Sequence, residues 1–193
     1  LINGAAAFEL LDTFGFPIPE GAKVQTFVGS VASATGYTQY MWHKPRGASM
    51  VRIFCMGAGG GGGAGLTGIA SANRGGGAGG GSGAIVNWLG LAYLLPDSLF
   101  VLVGNGGKGG ASSAAAGIAG SRSFLTIVAN STTAANLLLV SGAANAGGGA
   151  GGTTAAATAG AAGTIATSAT AILSGVGLWS ARVGDAGIAG GTG

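Results

Sequence analysis

Strand-like apolar runs in this chain pass directly into blocks of glycine. Val51-Arg52-Ile53-Phe54-Cys55-Met56 is followed at once by Gly57-Ala58-Gly59-Gly60-Gly61-Gly62-Gly63-Ala64-Gly65. Glycine occupies 44 of the 193 positions. Ordering a glycine costs roughly 0.5–1 kcal/mol more than ordering an alanine at a regular position. Either the blocks stay loose, or a property peculiar to glycine offsets that cost.

The other blocks are residues 75–83, 104–111, 142–152 and 184–193, with an Ala/Thr/Gly stretch at 153–171. They recur within one stretch of chain rather than separating two domains. Alanine, not serine, accompanies the glycine, unlike a flexible linker. Several blocks repeat every third residue. Non-glycines fall at Asn105, Lys108 and Ala111, and glycines at Gly184, Gly187, Gly190 and Gly193, with shorter echoes at Gly117/Gly120 and Gly160/Gly163. Blocks 57–65 and 75–83 lack that spacing.

A period of three belongs to the extended threefold helix, which has no internal hydrogen bonds. Its N–H and C=O groups point sideways and need partners in neighbouring segments once water is excluded. A buried group left unpaired costs roughly 1–3 kcal/mol. Only glycine lets backbones approach closely on every side, so the pattern predicts a packed bundle of polyglycine-type helices.

Candidate strands lie at Val24–Gly29, Tyr37–His43, Met50–Met56, Ala84–Leu91, Ser98–Val103, Ser123–Ala129 and Asn136–Ser141. They are short, rich in β-branched and aromatic residues, and bounded by turn formers, which predicts an all-β sandwich or barrel. Lys44-Pro45-Arg46-Gly47 and Leu95-Pro96-Asp97 read as turns. Residues 1–22 differ: Phe8, Leu10, Leu11, Phe14, Phe16 and Ile18 are apolar, while Pro17 and Pro19 end any helix begun near Ala5. We expect an attachment arm or lead-in segment at 1–22 and a single glycine-rich β domain at 23–193. Leu1 in place of methionine suggests a processed chain or a portion of a longer one.

Charge narrows the function classes. Eight Lys/Arg against five Asp/Glu give a net +3 without any basic cluster, so no nucleic-acid partner is expected. No charged residue stands between Arg122 and Arg182, yet the most apolar run there, Leu137-Leu138-Leu139-Val140, is far shorter than the ~20 residues of a spanning helix. No membrane span is expected. A surface so poor in charge suits a chain packed within an assembly. Cys55 is the single cysteine and reads as a buried free thiol.

The residues also lack a catalytic set. Gly57-Ala58-Gly59-Gly60-Gly61-Gly62 has a dinucleotide-binding spacing, but more glycine follows where a helix should begin, and no acid appears before Asp97. Lys108 in Gly106-Gly107-Lys108-Gly109 lacks the Ser/Thr of a phosphate loop. His43 is the single histidine, which leaves no zinc ligand set. Glu9, Asp12, Glu20, Asp97 and Asp185 form no paired-carboxylate motif. Trp42, Trp88 and Trp179 could stack on sugars, though their strand positions favour the core or a subunit interface. We expect no catalytic residues, cofactor or metal, and not an enzyme.

The order of these elements resembles the glycine-rich domains of virion and tail-fibre proteins of tailed bacteriophages. The likeness runs from Trp42-His43-Lys44-Pro45-Arg46-Gly47-Ala48 through the Met50–Met56 strand and its glycine block. It continues through Gly75–Gly83, Leu95-Pro96-Asp97 and Gly104-Asn105-Gly106-Gly107 to Gly120-Ser121-Arg122-Ser123-Phe124 and Leu139-Val140-Ser141-Gly142-Ala143. It covers about residues 40–152. A distant likeness extends to the glycine-rich region of anaplastic lymphoma kinase-type receptors. The resemblance implies a jelly-roll or tumour-necrosis-factor-like β-sandwich with an inserted bundle of polyglycine helices. It also implies a homo-oligomer, with a trimer favoured, located in a virion or extracellularly. The implied role is a tail-fibre, head-fibre or adhesin component, joined to other virion proteins through residues 1–22, with a host-surface glycan or protein as a further partner. The alternative is a pure scaffold without receptor binding, such as a capsid-decorating protein or filament subunit. Ala and Thr across 153–171 depart from the family pattern and leave the extent of the bundle there open.

Overall fold

A computed structural model describes residues 23–29, 31–32, 36–68, 73–142, 145–164 and 172–192. The expected arm at 1–22 lies outside these residues, as does 165–171. The fold is all-β, with short helical turns at Ala92–Leu94, Ala134–Asn136 and Ile172–Gly175. Its strands are β1 (Val31–Ala32), β2 (Tyr37–His43), β3 (Met50–Met56), β4 (Ile85–Leu91), β5 (Ser98–Gly104), β6 (Gly106–Gly107), β7 (Phe124–Thr126), β8 (Leu137–Val140) and β9 (Leu178–Arg182). A four-stranded antiparallel sheet has the order β2-β5-β7-β8, and a three-stranded antiparallel sheet the order β3-β4-β9. The short β1 runs parallel to β6.

Both sheets feed one core. Alternation along β3 turns Val51, Ile53 and Cys55 inward, where they meet Val86 and Trp88 of β4 and Trp179 and Ala181 of β9. The other sheet contributes Trp42, Leu99, Val101, Leu125 and Leu139 to the same cluster. Leu102, Phe124, Leu137 and Val140 form a second, smaller cluster. The expected turn at residues 44–47 is present, with Gly47 at φ +78°, a conformation that favours glycine. Lys44 Nζ bridges to Asp97 at 2.8 Å and donates to the Leu95 carbonyl at 2.9 Å, pinning this turn to the 95–97 turn.

Two expectations need correction. Residues 24–29 form no strand: Val24 and Val28 are exposed, and among the described residues no strand pairs with them. Phe27 instead rests on Tyr40, whose hydroxyl donates to the Val28 carbonyl. The strand expected at 123–129 is only three residues long. Asn130, at φ +54°, follows it in a turn.

Candidate functional site

The glycine segments continue the strands and bond to one another sideways. From β3, Gly57, Gly60, Gly63 and Leu66 donate to the carbonyls of Ala84, Gly81, Ala78 and Gly75 at 2.8–2.9 Å. In the same segment Ala58, Gly61 and Ala64 donate in another direction, to Ser121, Ile118 and Ala115. The carbonyls of Gly59 and Gly62 accept from Gly107 and Gly110, and those of Gly61 and Ala64 from Gly149 and Gly152. A strand bonds to two neighbours in one plane with period two. This segment bonds to four neighbours with period three.

The remaining bonds define the whole array. Segments 105–110, 57–66, 75–84 and 184–191 lie side by side in one row. Beneath them, nested in the gaps, lie 115–121, 146–153 and 157–163. Segments 57–66, 75–84 and 184–191 prolong β3, β4 and β9, while 105–110, 115–121 and 146–153 prolong β5, β7 and β8. The two sheets are held apart by a side-chain core of the usual ~10 Å. Where side chains give way to glycine, continuations of different sheets bond backbone to backbone. Residues 157–163, from the stretch whose role was open, join the array through Gly160 and Gly163, which donate to Gly79 and Ser82.

Glycine is sterically required at the inner positions. A Cβ on Gly61 would overlap the Lys108 carbonyl, one on Gly77 the Gly63 carbonyl, and one on Gly107 the Ile118 carbonyl. At the exposed Gly62 the nearest atom, the Ala78 carbonyl oxygen, is 3.4 Å away. Buried serines tie the array to the sheets. Ser123 Oγ donates to the Met56 carbonyl at 2.6 Å and accepts from the Gly104 N–H at 3.0 Å. Ser141 Oγ accepts from the Ser123 N–H at 2.9 Å. Sequence reasoning missed this clamp; its signal was the serines beside β7 and β8, at Ser121, Ser123 and Ser141.

The residues weighed for chemistry are dispersed. His43 Nδ1 lies 2.9 Å from Ser98 Oγ at the exposed end of β2. Lys108 takes part in the array through its carbonyl, which accepts from Ile118. The N–H groups of Gly57, Ala58, Gly60 and Gly61, which a phosphate would need, are bonded to carbonyls within the chain. Asp97 pairs with Lys44, and Asp185 lies 3.6 Å from Arg182. The hydrogen bond from Lys44, and then its charge, hold the Asp97 carboxyl below the ordinary carboxylate range. The stability this pair adds is present above the unfolded-state pKa and is lost as pH falls through the lowered one. Asp97 is highly exposed, so the effect is small. Trp42, Trp88 and Trp179 all pack on the core cluster. Glu9, Asp12 and Glu20 lie outside the described residues. Among the described residues no group of His, Cys, Asp and Glu is placed to hold a metal, and no helix is long and apolar enough to cross a membrane.

Cys55 is half-buried as a residue, its Sγ turned into the core 3.7 Å from the Ser123 carbonyl, and burial of the sulfur pushes the thiol up to about 12. At pH 8 the native protein is therefore expected to react negligibly with Ellman's reagent and to give one thiol per chain once denatured. Rapid labelling of the native protein would contradict this.

No family model, curated protein or solved structure matches this chain.

Proposed function

We propose that the protein is a non-catalytic structural component of a virion, of the tail-fibre, head-fibre or adhesin type, and that its glycine segments are a bundle of polyglycine-type extended helices mounted on a jelly-roll-like β-sandwich. The observation that carries this reading is the threefold lateral bonding of segments that prolong the strands of both sheets. Such a body is stiff in every lateral direction, because each segment is tied to its neighbours by backbone bonds rather than by side chains. That property suits a load-bearing or presenting scaffold. Segments 57–66 and 75–84, 115–121 and its partners, and 184–191 all run away from the sheets or return to them, so their outer ends at residues 66, 75, 110, 115, 153, 157 and 191 gather at the far end of the bundle. The chain works as a homo-oligomer, a trimer by analogy with the resembling family, with residues 1–22 as its attachment to other virion proteins.

Immunogold electron microscopy of particles carrying the protein tests the assignment. Label on a fibre or on the head is the expected result, and absence from purified particles would overturn it. A receptor role is favoured by one feature, a cleft of ≈ 220 Å³ lined by Tyr37, Arg122, Phe124, Thr132 and Asn145. The exposed Tyr37 ring beside amide, hydroxyl and guanidinium groups suits a glycan. Tyr37→Ala is expected to weaken saturable glycan binding at least 10-fold with the fold intact. Particles that carry the protein but bind no glycan on an array would leave the pure scaffold.

A further inference from the structure

The glycine array leaves one of its two faces nearly free of side chains. Every glycine of the lower row, in 115–121, 146–153 and 157–163, stands where a Cβ would overlap backbone atoms of a neighbouring segment. Exposed positions of that row carry methyl groups instead, as at Ala116, Thr158 and Ala161. The upper row, made of 105–110, 57–66, 75–84 and 184–191, keeps glycine where nothing in the chain requires it. At Gly62 and Gly109 the atom nearest a Cβ is 3.4 Å away, at Gly65 3.6 Å and at Gly76 3.8 Å, and at Gly191 none lies within 4 Å. The chain has room for alanine at all five, and alanine loses less backbone freedom on folding. Packing within one copy does not account for these glycines.

The same face carries backbone groups without a bond inside the chain. Along 57–66, the N–H groups of Gly57, Gly60 and Gly63 point to 75–84, and those of Ala58, Gly61 and Ala64 to 115–121. Among the described residues the third set, Gly59, Gly62 and Gly65, has no N–H partner. Successive residues of a threefold helix turn by about 120°, so these N–H groups point away from the lower row. Gly77, Gly80 and Gly83 are the corresponding set on 75–84, whose other N–H groups go to 146–153 and 184–191. The carbonyls of Gly60, Gly63, Gly77 and Gly80 likewise accept no N–H among the described residues. Lines of donors and lines of acceptors therefore alternate across the upper face, with the same period that bonds the segments inside the array.

We propose that this glycine face binds the same face of a second copy, so that the two arrays join into one of four rows. The occupant must approach the backbone closely and offer acceptors and donors at the three-residue spacing, which another threefold glycine segment does. The face is its own complement. A two-fold axis lying in the face and perpendicular to the segments turns each donor line onto an acceptor line, whereas an axis along the segments would set donor on donor. A methyl group on either copy would hold the rows apart, which accounts for glycine at Gly62, Gly65 and Gly76. Ser82, Asp185 and Ile188 border the face along its 184–191 edge, where the Asp185 N–H already donates to Ser82 Oγ at 2.6 Å. About nine residues at ~3.1 Å by four segments at ~4.8 Å cover about 500 Å², short of the ~800 Å² per partner of a standard interface. The dimer is therefore a weak one that leaves each copy folded when it parts.

The inference rests on the reading of the chain as self-associating but not on its trimeric number. Sedimentation of the full chain should show a dimer in the micromolar range. The double variant Gly62→Ala/Gly65→Ala should raise the dimer Kd at least 10-fold while leaving the circular dichroism unchanged, and Ala116→Ser on the lower row should leave the Kd as it is. Amide exchange of the natural chain, followed by NMR, gives a second measurement. Gly62, Gly65 and Gly80 should exchange at least 10-fold more slowly above the Kd than below it, whereas Gly60 and Gly63, bonded within the chain, stay slow at both concentrations. A monomer at high micromolar concentration would overturn both the interface and the self-association. A trimer, or an assembly whose Gly62 and Gly65 amides still exchange fast or that the double alanine leaves intact, would overturn the interface alone. Should the double variant lose its fold, exchange on the natural chain decides by itself.

Discussion

Gly61→Ala is expected to lower the melting temperature by on the order of 10 °C, whereas Gly62→Ala, one residue away, should move it by no more than about 2 °C. The two glycines differ only in what surrounds them. A Cβ on Gly61 would overlap the Lys108 carbonyl and crowd the Gly109 nitrogen. To relieve that overlap, the segment must withdraw from neighbours to which Gly61 is tied twice, by its N–H to Ile118 and by its carbonyl to Gly149. Buried groups left unpaired cost roughly 1–3 kcal/mol each, giving about 3–5 kcal/mol in all. In a chain of this size 1 kcal/mol corresponds to about 2–4 °C. Gly62 is exposed, with its nearest neighbour at 3.4 Å, so a methyl group meets solvent. The smaller unfolded-state entropy of alanine offsets any residual crowding there. Thermal unfolding followed by circular dichroism decides the matter. Equal losses at both sites would mean that the cost lies in the loss of glycine itself, and no loss at either would mean that the segments are not packed. Asp at Gly77 or Gly107, two further inner positions, should be at least as damaging as Ala at Gly61.

The period that organises the array was only partly visible in the sequence. It stood out at residues 104–111 and 184–193 because non-glycine residues there mark the register. In 57–66 and 75–84 seven of ten positions are glycine and the others follow no three-residue spacing, so nothing marks the phase, yet these two segments carry the fullest threefold bonding. Segment 115–121 was marked only by the Gly117/Gly120 pair, because it contains few glycines. Gly117 and Gly120 are nonetheless placed where a Cβ would overlap the Gly61 and Gly59 carbonyls. The spans of β2 and β3 followed directly from alternation bounded by turn residues. β9 was missed because Ser180 and Ala181 dilute its pattern, although Trp179 and Ala181 do alternate inward. Neither the pairing of particular segments nor the serine clamp could be read from the chain, because both depend on where distant strands end. The candidate cleft joins Tyr37 to residues 85 and more positions away, and no local signal announces it.

Trp88→Ala should be as damaging as the inner glycine substitutions, for a different reason. Trp88 is fully buried at the centre of the core shared by both sheets, opposite Trp179 on β9. Its indole N–H donates to the Val176 carbonyl at 2.6 Å, and its ring lies over Gly90, where any Cβ would overlap it. Gly177, at φ +81°, lets the chain turn tightly past the ring edge. Removing the indole leaves a large cavity between sheets, at a cost of about 3–5 kcal/mol. Trp88→Phe keeps a ring over Gly90 and gives up the hydrogen bond, so about 1–2 kcal/mol is expected. Trp179→Ala should fall below Trp88→Ala, because Trp179 is only half-buried. The same experiment links core to array. β3 and β4 run unbroken into segments 57–66 and 75–84, and the Ser123 clamp closes the junction. The two regions should therefore unfold together. Hydrogen exchange should record the loss in Trp88→Ala at the amides of Gly60 and Gly63 as fully as at those of β4. Array amides that keep their protection while those of β4 lose it would show that the glycine segments form a body able to stand without the sheets.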